Sequence, residues 1–118
     1  MTRFLLVLND QPYGTERSYN GLRLALNLMK KDPATVMRVF LVGDAAWCAK
    51  RGQTLPSGYY SIETMLKGLA QRGASVGVCG TCMDARGIKE EELAEGTKRS
   101  SLDQWTEWTV WAEKTLVF

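Results

Sequence analysis

Apolar and polar positions fall along this chain in two alternating kinds of block. Short, nearly continuous apolar runs recur, and longer segments with helical apolar spacing lie between them. The first run, Arg3 to Leu8, reads as a strand buried on both faces. Asn9-Asp10-Gln11-Pro12-Tyr13-Gly14 follows as a turn-rich loop. From about Thr15 to Lys31, the residues Leu22, Ala25, Leu26 and Met29 fall at i, i+3, i+4 and i+7, which predicts an amphipathic helix. Lys30-Lys31 suits a helix C-terminus, and Asp32-Pro33 ends it.

The second apolar run, Thr35 to Val42, stops at Gly43-Asp44. Ala45 to Lys50 is expected to form one or two helical turns, and Gly52 to Gly58, with Pro56 inside it, a loop. Helical spacing returns over Tyr60 to Arg72 through Ile62, Met65, Leu66 and Leu69, with Gly73 as the C-terminal cap. A third β-rich run, Ala74 to Val78, leads into Cys79. Ile88 to Glu95 is charged and helix-prone. Ser101-x-x-Gln104 has capping-box form and opens a helix to about Glu113, with Leu102, Trp105, Trp108 and Ala112 on one face. Thr115 to Phe118 is expected to be a terminal strand. The alternation predicts an α/β fold, a three-layer sandwich of a mostly parallel sheet with helices on both faces. A length of 118 residues suits one domain spanning 1–118.

Open α/β sheets take ligands beyond the C-terminal ends of their strands. Three polar strand endings should therefore converge on one edge: Asn9-Asp10, Gly43-Asp44 and Cys79. Gly14-Thr15, opening a helix after a strand, can cradle an anion but lacks the glycine pattern of a dinucleotide or P-loop site. Asp10 and Asp44 can act as an acid/base pair, although caps and turns use Asp freely. Tyr13, Tyr59 and Tyr60 lie in loops, where they can line a pocket or an interface.

Composition narrows the chemistry. The formal net charge is +2 and no basic run is longer than two residues, Lys98-Arg99 among them, which argues against nucleic-acid binding through a basic surface. No segment is long and apolar enough to span a bilayer. Phe4 to Leu8 is too brief for a signal core and runs into Asn9-Asp10 without a small-residue cleavage site, so a cytoplasmic location is expected. Three cysteines in a reducing compartment do not make a disulfide framework. The chain has no histidine, which removes His-based triads and His-ligated metals. Cys79 and Cys82 have no second Cys/His pair to complete a zinc site, so neither metal nor cofactor is expected.

The segment Val78-Cys79-Gly80-Thr81-Cys82 then stands out. A thiol where a strand gives way to a turn meets unpaired backbone N–H groups, and Arg86 lies within electrostatic reach in sequence. Both effects favour thiolate over thiol. Cys82 can serve as a resolving thiol or a second acceptor. The bland alternative is that both are inert, packed cysteines, which is also the reading of Cys48 beside Trp47. Trp105, Trp108 and Trp111 sweep too wide an arc for one helix face, which predicts burial of at least one against another subunit.

The chain resembles the DsrE/DsrF-like family, which includes TusD sulfur-relay and YchN-like proteins. The resemblance rests on Asn9-Asp10-Gln11-Pro12-Tyr13-Gly14-Thr15-Glu16, Phe40-Leu41-Val42-Gly43-Asp44-Ala45, Gly58-Tyr59-Tyr60, Val78-Cys79-Gly80-Thr81-Cys82 with Ala85-Arg86-Gly87-Ile88, and Leu116-Val117-Phe118. It implies a three-layer α/β fold and assembly into trimers or hexamers. It also implies that Cys79, at the position of the sulfur-relay cysteine, carries sulfur as a persulfide between donor and acceptor proteins. TusD-type carriers do not need Cys82, so its role stays open. Three readings follow. The first is a persulfide carrier of sulfurtransferase type. The second is a thiol–disulfide redox or sensing protein using Cys79 and Cys82. The third is a non-catalytic oligomeric module that binds a small ligand.

Overall fold

The computed structural model describes residues 1–118. Five strands, β1 (Arg3–Leu8), β2 (Val36–Leu41), β3 (Ser75–Cys79), β4 (Thr97–Ser100) and β5 (Lys114–Val117), form one sheet in the order β4-β3-β2-β1-β5. Every neighbouring pair is parallel. All strands therefore end on the same edge. The helices are α1 (Arg17–Lys31), α2 (Ile62–Gln71), α3 (Gly80–Ala85) and α4 (Leu102–Trp111). A 3-10 helix over Gly43–Ala49 occupies the expected turns after β2.

The predicted three-layer sandwich is the fold observed. Alternate residues of the central strands feed two cores. Leu6, Leu8, Val39, Leu41, Val76 and Val78 join Leu22, Ala25 and Met29 of α1 and Ile62, Leu66 and Leu69 of α2 in the larger one. Leu5, Val7 and Phe40 face the other way and meet Trp108 of α4, with Trp105 packed alongside. Phe40 stacks on Trp105 at 4.9 Å and meets Trp108 edge-on at 6.3 Å, an arrangement that suits the ring quadrupoles. Gly77 makes room for Trp108: a Cβ there would stand 3.2 Å from the indole and 3.0 Å from Ser100 Cβ.

Local signals explain several boundaries. Ser61 and Ser101 cap α2 and α4, their side chains accepting from the N–H groups of Thr64 and Gln104. α1 begins at Arg17 rather than near Thr15, because the Thr15 hydroxyl donates to Asp10 at 2.9 Å and holds that residue in the loop. β3 extends one residue further than expected and takes in Cys79.

Two expectations are corrected, and one strand was not foreseen. Ile88 to Glu95 is not a helix apart from one 3-10 turn at Glu90–Glu92. Its backbone is used in tertiary pairing instead: Ala94 N–H donates to Ala49 O at 2.7 Å, and Arg51 N–H to Glu92 O at 2.9 Å. β4 was not legible as a strand, because only Thr97 among its four residues is buried. Leu102 does not share the buried face of α4, since it is 70% exposed while Trp108 is 8% exposed. Trp111 instead receives the Arg38 guanidinium, 3.8 Å from its ring centre, on the sheet's less covered face.

Trp108 is the fully committed side chain over the second core. Trp108→Ala is expected to lower unfolding free energy by about 3–5 kcal/mol. Val110→Ala, at a position that is 83% exposed, should stay within about 0.5 kcal/mol of wild type. Urea denaturation of both variants checks this. Equal midpoints would show that α4 does not hold the second core.

Candidate functional site

β3 passes into α3 with no loop between them: Cys79 is the last strand residue and Gly80 the first helical one. Strand alternation divides the neighbourhood. Val76 and Val78 point into the large core, whereas Cys79 packs against the aromatic core. Cys82, one turn into α3, packs instead against the large core. The two thiols are thus three residues apart in sequence yet touch opposite layers. Both are free and half-buried.

Several groups converge on these sulfurs. Cys82 Sγ accepts the Gly43 N–H at 3.1 Å. Gly43 holds φ +60°, a left-handed conformation that costs glycine little. Thr81 Oγ1 lies 3.4 Å from Cys79 Sγ. Partial burial pushes the Cys79 thiol up. Hydrogen bonds from the Cys82 and Thr81 side chains, and from their backbone N–H groups, oppose this and outweigh it, so Cys79 ends below the ordinary thiol value. Cys82 moves the other way. Its burial and its hydrogen bond to Cys79 raise it, and the Gly43 N–H and Arg86 offset only part of that. Cys79 is therefore the first of the pair to ionise, and Cys82 serves it as a donor.

Two arginines clasp α3. Arg86 Nε and Nη2 donate to Asp44 Oδ1 at 3.1 and 2.7 Å, and Nη1 donates to Cys82 O at 3.1 Å. This joins the C-terminal end of α3 to the exit of β2. Arg99, on β4, forms a two-pronged pair with Asp84 of α3 at 2.9 and 3.0 Å. Bidentate geometry fixes orientation as well as adding charge. Sequence reading missed Arg99, because it lies in a strand with too little apolar content to be recognised. The basic pair Lys98-Arg99 was its only visible trace.

The other candidates have different partners. Asn9 donates its N–H and its Nδ2 to Phe118 O, tying the end of β1 to the end of β5. Asp10 accepts from Thr15 and lies 3.7 Å from Arg17, and its carbonyl accepts from Ser18. Gly14, at φ +105°, turns that loop. The Tyr13 hydroxyl accepts the Ile62 N–H at 3.1 Å, and its ring belongs to a cluster with Tyr59 and Tyr60. Gly43, Asp44 and Arg86 therefore gather at the thiols, while Asn9, Asp10, Tyr13, Gly14 and Tyr59 organise the adjoining loops.

Cys48 is fully buried, 3.5 Å from Asp10 O and 3.7 Å from Ser18 Oγ. Burial pushes its thiol from 9.0 up to about 12. It packs and holds the loop after β1, as the bland reading of that residue expects.

A five-stranded, all-parallel α/β sheet with helices packed around it, and a thiol pair at the C-terminal end of a strand, defines the class of fold. The chain matches the DsrE/DsrF-like family over residues 2–118, and it belongs to that family. YchN from Escherichia coli (strain K12) is 37% identical over 118 residues, covering all of both chains. MJ0989 from Methanocaldococcus jannaschii is 37% identical over 100 residues, 85% of each chain. The crystal structure of the E. coli YchN protein superposes with a TM-score of 0.94, covering all of both chains. The MTH1491 protein of Methanobacterium thermoautotrophicum, 14% identical over the whole of both chains with a TM-score of 0.79, shares the fold.

Two measurements follow from the thiols. Iodoacetamide labelling of the folded protein should modify Cys79 first, with a rate midpoint below 9.0, and should leave Cys48 unmodified until the chain unfolds. The Cys48 thiol binds its proton more tightly in the folded chain than in the unfolded one. Its stabilising contribution is thus fully present below about pH 9 and is lost as pH rises towards about 12. Denaturation midpoints should fall across that window, and Cys48→Ala should flatten the fall. A slope unchanged by Cys48→Ala would assign the loss to other groups.

Proposed function

We propose that this protein is a cytoplasmic persulfide carrier, with Cys79 as the sulfur-bearing residue. The observation that carries the reading is the Cys79 thiol itself: half-exposed at the strand ends and held below its ordinary ionisation range by the Thr81 and Cys82 hydrogen bonds. Membership of the DsrE/DsrF-like family supports it.

The Cys79 thiolate attacks the outer sulfur of a donor persulfide. The S–S bond of the donor breaks, its thiolate leaves, and Cys79 carries the sulfur. An acceptor thiolate then attacks that outer sulfur and releases the Cys79 thiolate. The two steps need no net oxidant or reductant. Thr81, Cys82 and the local N–H groups stabilise the anion that exists before loading and after delivery. Gly43, Asp44 and Arg86 hold α3, and through it Cys82, against the end of β2. Asn9, Asp10, Tyr13, Gly14 and Tyr59 form the loop wall against which a partner protein docks. Donor and acceptor are thiol or persulfide proteins.

The same reading includes a homo-oligomer, a trimer or hexamer. Leu102, Val110 and Val117 are 70%, 83% and 66% exposed on α4 and β5, more apolar surface than that side needs as an isolated unit.

A second reading, thiol–disulfide exchange, is favoured by the mutual influence of the Cys79 and Cys82 thiols, which shift each other's ionisation in opposite directions. A reversible Cys79–Cys82 disulfide at cytosolic glutathione potentials would support it, and a pair that stays reduced there would exclude it.

Incubation with a cysteine desulfurase and cysteine should add about 32 Da per chain, the mass of one sulfur, to a peptide containing Cys79. Cys79→Ser should abolish the addition and Cys82→Ser should retain it. Equal loading of the Cys79→Ser chain would sink the carrier assignment. Light scattering should give three or six times the 13.2 kDa chain mass. A 13.2 kDa particle at micromolar concentration would remove the oligomer from the reading.

A further inference from the structure

Gly80, directly after Cys79, is buried, and what buries it is a guanidinium. A Cβ built on Gly80 would stand 2.8 Å from Arg99 Cζ and Nε and 2.9 Å from Nη2. The planar group thus lies against the bare Cα at the β3–α3 junction, closer than any side chain there would allow. Its place is fixed from two directions. The β4 register sets Arg99 beside Val78 and Ser100 beside Cys79. Asp84, one turn beyond Gly80 on the same face of α3, holds Nη1 and Nη2.

We propose that Arg99 is a specificity-determining residue of the Cys79 site, selecting reactants whose sulfur arrives as an anion. This rests on the reading of Cys79 as the sulfur-bearing residue. In that reaction, the donor persulfide and the acceptor thiolate are both negatively charged when they meet Cys79. A cation fixed against the neighbouring residue raises the local concentration of such groups and lowers that of cationic ones. Arg99 supplies this charge from outside the thiol pair. Arg86 does not duplicate it, because it is bonded to Cys82 O and acts on the Cys82 thiol, whereas Arg99 feels Cys79.

Asp84 sets the strength of the effect. As a carboxylate held below its ordinary range by Arg99, it stays ionised and cancels part of the guanidinium field. Its side chain is 63% exposed and that of Arg99 36%, so the pair sits where an approaching anion can compete for the arginine. The charged and titratable groups of the β3–α3 junction are Cys79, Cys82, Arg99, Asp84, Arg86 and Asp44, with Cys79 and Glu90 both acting on Arg99. Removing Arg99 and removing Asp84 should shift reactivity in opposite directions. A merely structural role for the pair predicts the same direction for both.

The test compares two alkylating agents of nearly equal size, anionic iodoacetate and neutral iodoacetamide. They are applied to the 118-residue chain at pH 7.5 and low salt, and the modified cysteine is identified by mass spectrometry. Dividing the two rates at Cys79 removes any change in thiolate fraction and leaves the charge preference. Arg99→Gln should lower the iodoacetate-to-iodoacetamide ratio by about threefold, Asp84→Asn should raise it by a similar factor, and Arg99→Lys should keep most of the wild-type value. Salt at 1 M should bring all four proteins together. A wild-type ratio in Arg99→Gln, or a lowered ratio in Asp84→Asn, overturns the assignment. No sulfur donor is present, so the result is independent of persulfide loading. An unchanged ratio with Cys79 still loading sulfur removes the selector and leaves the carrier. A shifted ratio with no loading does the reverse.

Discussion

The N–H and C=O groups of β1 and β2 can leave water only if each strand is paired on both sides and each sheet face is covered. Everything else in the structure follows from meeting that condition with 118 residues. Parallel pairing requires a crossover after each central strand, and α1 and α2 supply these on one face. The other face receives only α4, so its closure depends on a few large rings: Phe40, Trp105 and Trp108. Because all strands run the same way, their ends collect on one edge. The polar residues that stop the strands are gathered there by the sheet, without any contact of their own being needed.

That edge turns a packing solution into a chemical one. β3 ends at a cysteine whose neighbours are backbone donors and a hydroxyl, so the sulfur keeps its hydrogen bonds while remaining half-exposed. Cys82 and Cys48 show the same atom in other surroundings. One is raised by burial and by its neighbour, and the other is driven to about 12 by burial, which outweighs its hydrogen bond to Ser18. Position relative to the sheet, more than residue type, separates the thiol whose ionisation is lowered from the two whose ionisation is raised. The ion pairs around α3 are too exposed to add much stability, but they fix where α3 sits.

Much of the fold was legible, because long apolar runs and helical spacing survive in a single sequence. β1, β2, β3, α1 and α2 each carry enough buried positions to declare their type. β4 does not: Thr97-Lys98-Arg99-Ser100 at a sheet edge needs little apolar content, and its strand character comes from pairing with β3. Ile88 to Glu95 failed for the converse reason. Its local preference is helical, but its backbone groups find partners at Ala49 and Arg51. Missing β4 also hid Arg99. Near the thiols, Cys79 and Gly43-Asp44 were read from strand endings, and Cys82 and Arg86 from the segment that follows Cys79. The local duties of Asn9, Asp10 and Tyr13 could not, since they depend on loop hydrogen bonds that sequence periodicity does not carry.

The division of the two thiols between layers has a mechanical consequence. Cys79 rests on the aromatic layer and Cys82 on the aliphatic one, so the short segment joining them crosses from one side of the sheet to the other. A covalent link between the sulfurs would act as a suture through the fabric of the molecule. It would fasten α3 to the rim of the sheet and make the slack between the two layers depend on the oxidation state of a single bond.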